Sequence, residues 1–99
     1  MQATHLPARE MTAPEHLGLE TRAAFRQAAI SLLDSLPEGS CLAIDLAATR
    51  HVDSAGLGVL MLVQRKAAER RQHVSLLHPN DELRFLLHLT KLSDLFEMA

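Results

Sequence analysis

From Phe25 onward, the apolar positions fall into alternating helical and strand patterns. Phe25, Ala29, Leu32, Leu33 and Leu36 recur at steps of three and four, while Glu20, Arg22, Arg26 and Asp34 point elsewhere, as on a helix with one buried face. Pro37-Glu38-Gly39-Ser40 ends that helix with turn chemistry. Cys41-Leu42-Ala43-Ile44-Asp45-Leu46 is a short, nearly all-apolar run between breakers, which predicts a strand buried on both faces. Residues 47–53 read as a loop and residues 54–71 as a second helix. The stretch from Leu57 to Val63 is apolar on every side and predicts burial all round. Arg65, Lys66, Arg70 and Arg71 follow, where cations suit the helix dipole. His73-Val74-Ser75-Leu76-Leu77 predicts another strand. Pro79-Asn80-Asp81-Glu82 then starts a helix, with Asn80 as its cap and two acids in the first turn. Leu83, Leu86, Leu87 and Thr90 give its inner stripe as far as about Lys91. Ser93 can cap a last short turn over residues 94–98, which closes the domain with Leu95 and Phe96.

The N-terminal quarter is less regular. Residues 4–10 alternate loosely and predict an edge strand, because Pro7 lacks the donor a central strand needs. Thr12-Ala13-Pro14-Glu15 has the form of a capping box and predicts a helix start there. Gly18 weakens the next turn, so a start near Leu19 is the alternative. Strands alternating with helices predict βαβ units with right-handed crossovers. The expected fold is therefore α/β: a small, mostly parallel or mixed sheet with helices packed on it and a shortened N-terminal strand region. Neither repeats nor linkers divide the chain, so residues 1–99 read as one domain.

Composition narrows the function. Apolar residues make up 47% of the chain, enough for a core, but aromatics only 3%, so that core is Leu, Val, Ile and Ala. The net charge of -2 argues against a nucleic-acid surface, which needs a basic face. The single cysteine, Cys41, cannot close an internal disulfide and fits a reducing compartment. No stretch of about 20 apolar residues spans a bilayer, and the first ten residues lack the apolar run of a secretory signal. A cytoplasmic protein without membrane insertion is expected. His73 and His78, five apart on a strand and its exit, face opposite ways, and no metal-ligand spacing occurs, so neither a metal site nor a cofactor is expected. Gly56-Leu57-Gly58 lacks the third glycine of a dinucleotide fingerprint and the lysine of a P-loop.

The informative stretch is Val52-Asp53-Ser54-Ala55-Gly56-Leu57-Gly58. It is a strand-to-helix loop ending in a carboxylate and a hydroxyl, followed by two glycines. Ser54 falls where backbone N–H groups are unpaired and the helix dipole is positive. Gly56 and Gly58 allow close approach by another group, and each costs roughly 1 kcal/mol relative to alanine in a helix. On these residues taken by themselves, Ser54 is either an ordinary N-cap beside glycines that ease packing, or a functional hydroxyl. No Ser-His-Asp arrangement can be read from the spacing, so a hydrolase nucleophile, and catalytic residues generally, are not expected.

Asp53-Ser54-Ala55-Gly56-Leu57-Gly58, preceded by the strand ending Ile44-Asp45-Leu46, resembles the signature of STAS-domain anti-anti-sigma factors, and the segment from Phe85 to Glu97 is similar to that family's closing segment. The likeness runs from about Thr12 to Met98. The resemblance implies a non-enzymatic anti-sigma factor antagonist that switches partners. Its phosphorylated serine would be Ser54, and its docking surface would be framed by Asp53, Ser54, Ala55, Gly56, Leu57 and Gly58. Its partners would be an anti-sigma factor that is also a GHKL-type serine kinase, and a metal-dependent phosphatase that removes the phosphate. Ala55 stands where the family often carries a second hydroxyl, so that position is not a second acceptor. The family usually opens with two strands, whereas this sequence leaves room for one. A partner or a second copy of the chain, forming a homodimer, is then expected at the uncovered sheet edge. The second reading is a STAS subunit of an ABC-type lipid transport complex, docking the same helix start on an ATPase without phosphorylation.

Overall fold

The computed structural model describes residues 7–98. In chain order the elements are β1 (Pro7–Thr12), β2 (His16–Leu17), α1 (Arg22–Asp34), β3 (Cys41–Asp45), β4 (His51–Val52), α2 (Ser54–Glu69), β5 (His73–Leu77), α3 (Asp81–Leu89), a 3₁₀ turn (Leu92–Leu95) and β6 (Glu97–Met98). β1, β3, β5 and β6 form a parallel sheet in that order, and β2 and β4 form a separate parallel pair. This is the expected α/β architecture.

The all-apolar run around Ile44 becomes β3 because both of its neighbours and both of its faces need to be dry. β3 pairs β1 on one side and β5 on the other, and Cys41, Leu42, Ala43 and Ile44 are all buried. Leu42, Ile44, Val74 and Leu76 join the main core, while the alternate positions Cys41, Ala43 and Ser75 are small and equally shielded. Burial pushes the Cys41 thiol up to about 11, so it stays protonated and unreactive. Phe25, Ala29 and Leu33 of α1 meet the inner face of α2, formed by Val59, Leu60, Val63 and Ala67. The side-chain amide of Gln72 donates to Leu33 O and Leu36 O, both at 2.8 Å, which ties the end of α1 to the residue before β5. Asn80 caps α3 as its sequence predicts, accepting from Leu83 N at 2.7 Å.

Several expectations are corrected. The segment Thr12-Ala13-Pro14-Glu15 starts no helix: Thr12 ends β1, and α1 begins at Arg22. Bonds to distant backbone override the local capping pattern. Ala13 N donates to Asp45 O at 2.9 Å, and Glu15 O accepts from Arg50 N and His51 N at 2.8 and 3.2 Å, so the chain stays extended beside β3 and the loop after it. Two strands therefore open the described chain, not one. The edge strand expected over residues 4–10 is found as β1, ending at Thr12; its first three residues lie outside the described part. β1 lies at the sheet edge and exposes Arg9 and Glu10, charges of the kind that discourage edge pairing. Residues 47–53 contain β4, two residues long. The last turn predicted over residues 94–98 is instead a 3₁₀ turn followed by β6, which pairs with Ser75 and Leu76 of β5. The stretch from Leu57 to Val63 is not buried all round: Gly58 is exposed, and Leu57, Met61 and Leu62 are half-buried, because nothing covers the outer side of α2.

Candidate functional site

The start of α2 is built by three segments that are distant in sequence. β2 lies beside β4, with His16 opposite His51 and Leu17 opposite Val52. Thr49, itself buried, donates its hydroxyl to Pro14 O at 2.8 Å, and the Asn80 amide donates to Arg50 O at 3.3 Å. The loop before α2 is thereby tied both to the β1–β2 connection and to the start of α3.

Asp53 is the N-cap of α2, with its Oδ1 accepting from Gly56 N at 2.9 Å. Its Oδ2 accepts from Leu19 N at 3.2 Å and lies 3.5 Å from His16 Nε2. Gly18 makes room for this carboxylate: a Cβ there would lie 2.3 Å from Asp53 Oδ2 and 2.6 Å from its carboxyl carbon. Gly18, read from sequence as a weak helical position, is instead the point where β2 admits the cap. The N–H of Gly56 does most to hold the Asp53 carboxyl below its ordinary range, with Leu19 N–H and His16 adding to it.

The sign of the resulting pH dependence follows. A carboxyl whose pKa is lowered on folding contributes stability above its unfolded value of about 4 and loses it as pH falls through the folded value. Asp45 is lowered in the same sense, chiefly by Ala47 N–H and also by His78. Urea unfolding at pH 6 and pH 3 is expected to show a larger acid loss in the native protein than in Asp53→Asn, with Asp45 titrating in both. Equal losses would show that the cap carboxylate is not coupled to folding.

Ser54 is the first residue of α2, exposed, and holds no side-chain hydrogen bond among the described residues. The ordinary N-cap role is thus taken by Asp53, and the Ser54 hydroxyl is released from it. The other predicted site residues divide by position. Ala55 is half-buried and Leu57 packs on the core. Gly56 is buried, and a Cβ on it would lie 2.0 Å from the Leu17 carbonyl oxygen. Gly58 is exposed, and a Cβ added there would meet nothing within 4 Å.

Ser54 opens onto a groove between α1 and α2 of about 530 Å³, lined by Arg22, Arg26, Ala55, Gly58 and Leu62 among others. On the other side of Asp53 lies a smaller hollow of about 380 Å³, formed by His16, Leu19, Glu20, Thr21 and Asp53. His16, Gly18, Arg22 and Arg26 were not singled out by the sequence as site residues. The signal for Gly18 was a glycine badly placed for the helix then expected; for the arginines none exists without knowing how α1 packs. The groove offers Ser54 no base: its charged lining is arginine. Among the described residues no cluster of three or more His, Cys, Asp and Glu could hold a metal ion, and no helix is long and apolar enough to cross a membrane.

Gly58 gives a direct test of whether this surface is open. With open space around it, Gly58→Ala is expected to stabilise the protein by roughly 0.5–1 kcal/mol through helix propensity, read as a rise in thermal midpoint. A fall would show that the structure around Gly58 is closed.

The sequence model of the family described as "Mlab, STAS domain" matches residues 5–97. No protein of curated function matches the chain. Among solved structures, a Thermotoga maritima protein with a provisional assignment as an anti-sigma factor antagonist superposes with a TM-score of 0.75 at 20% identity, covering 90% of this chain and 77% of that one. At that identity the likeness is one of fold.

Proposed function

The chain belongs to the STAS-domain family, and from that premise we propose that it is an anti-sigma factor antagonist, a non-enzymatic regulator that switches partners through reversible phosphorylation of Ser54. The proposed partner is an anti-sigma factor that also acts as a GHKL-type serine kinase, with a metal-dependent phosphatase reversing its action in the cytoplasm. Asp53, Ser54, Ala55 and Gly58 would present the docking surface, and Gly56 and Leu57 would hold it against β2 and the core.

One observation carries this reading: capping and hydroxyl are divided between neighbours. Asp53 closes the helix end, so Ser54 can be modified without breaking a bond that the fold uses. The chemistry is a phosphoryl transfer from ATP. The Ser54 Oγ–P bond forms, the bond from the γ-phosphorus to ADP breaks, and the hydroxyl proton passes to a base in the kinase. The product adds about -1.5 to -2 charges at pH 7 at a helix start, where the helix dipole favours an anion. The scaffold is retained while the surface offered to the partner changes sign locally. A coupling of about 1–3 kcal/mol corresponds to some 5–150-fold in partner affinity.

Incubation with the cognate kinase and ATP, followed by intact mass and fragment mapping, tests the proposal. One phosphoryl group on Ser54, with weaker binding of the kinase afterwards, is the expected result. A stable ATPase complex that forms without phosphorylation and ignores changes at Ser54 would overturn it, and would instead fit a constitutive docking subunit of a transport complex.

A further inference from the structure

Arg22 and Arg26 sit one turn apart on α1 and line the same groove as Ser54. Both are exposed, and neither guanidinium pairs with a carboxylate among the described residues. Arg50 faces Glu15, Arg70 faces Asp34 and Arg71 faces Glu38, whereas Arg65 and Arg84, also unpaired among the described residues, do not line the Ser54 groove. Arg22 is also placed against a local preference. It occupies the first turn of α1, which holds no acid and where the helix dipole disfavours a cation. The nearby carboxylates lie elsewhere: Asp53 is turned to Gly56 N, Leu19 N and His16, and Glu20 lines the hollow on the far side of it. The groove beside the Ser54 hydroxyl therefore holds two unpaired cations and no acidic group.

We propose that the phosphate on Ser54 is held within the same molecule by the guanidinium groups of Arg22 and Arg26, bridging α2 to α1 across their groove. The proposal rests on phosphorylation of Ser54 as argued above. It adds a second change to the switch. Phosphorylation places a dianion on the docking surface and also withdraws two cations from it, so a partner that contacts either feature loses it. Guanidinium suits this task because its fork of N–H donors matches phosphate oxygens in paired hydrogen bonds.

The test needs no kinase. Phosphoserine is installed at position 54 by genetic code expansion, in the native protein and in an Arg22→Gln/Arg26→Gln double variant. The two arginines are exposed and unpaired, so the double variant is expected to fold, and its amide spectrum checks this. Phosphorus NMR then follows the titration of the phosphomonoester in each. Both proteins retain the α2 N-terminus and Asp53, so the difference between them isolates the guanidinium groups. The midpoint in the native protein is expected to lie about one unit below that in the double variant, the scale of a nearby opposite charge. The Arg22 and Arg26 Nε–H signals should also move on phosphorylation. Identical midpoints and unmoved arginine signals would overturn the clamp. That result would leave the switch standing if the kinase still modifies Ser54. Conversely, an unmodified Ser54 in the kinase assay would remove the switch while the installed phosphate still reports on the arginines.

Discussion

Gly56→Ala is expected to destabilise the protein by about 3 kcal/mol, the upper part of the range for an overpacked core. An added Cβ would lie 2.0 Å from Leu17 O and 2.8 Å from both Leu17 C and Val52 Cγ1. Two of those atoms belong to backbone, and that backbone is held in register with β4 and receives Asp53 N at 3.3 Å. No side chain can swing away to relieve the contact. For a domain of about 60–100 residues, 1 kcal/mol moves the melting point by ~4–8 °C, so a fall of about 12–24 °C is expected in a thermal melt. Helix propensity by itself predicts the reverse sign, since alanine is the better helix former by about 1 kcal/mol. A midpoint equal to or above the native one would mean that β2 does not lie against the start of α2. Gly58→Ala is the internal control: same helix, same substitution, opposite expected sign.

The second large effect concerns binding. Ser54→Asp is expected to weaken the complex with the kinase partner by roughly tenfold, within the usual range of coupling energies, while Ser54→Ala blocks phosphorylation and leaves binding near the native level. Neither change touches the cap, because Gly56 N is held by Asp53. Thermal midpoints of the two variants should therefore stay close to the native value, which separates a lost contact from a damaged fold. Titration calorimetry with the purified partner reads the difference. Equal affinities for Ser54→Ala and Ser54→Asp would contradict a mechanism in which charge at this position governs the complex.

Much of the fold was legible because the middle of the chain follows periodicity closely. β3, α2, β5 and α3 lie where their apolar spacing puts them, and Asn80 caps α3 as a cap residue before two acids should. The misread elements share one cause. β2, β4 and β6 are two residues long, too short to show a period, and they exist because distant partners supply their hydrogen bonds. Thr12 to Glu15 carries a local capping pattern, yet the carbonyls and amides of this segment are taken up by Asp45, Arg50 and His51. At the site, the motif marked Ser54 and its neighbours, but it could not tell which of Asp53 and Ser54 closes the helix. It was equally silent on Gly18, whose missing Cβ is what lets the Asp53 carboxylate reach Leu19 N.

The sequence by itself determined the alternation of helices with apolar strands, the position of the hydroxyl at the head of α2 and the net charge of -2, because periodicity, turn chemistry and charge are local or summed quantities. The tertiary structure decided the rest: that Asp53 caps and leaves Ser54 unengaged, that Gly56 is closed by β2 while Gly58 stays open, and that Arg22 and Arg26 border the same groove. Those facts depend on how α1 and β2 pack against the start of α2, across more than thirty positions of chain in the contact from Asp53 to Leu19. Contacts of that range are set by burial and backbone pairing, which no short window of residues contains.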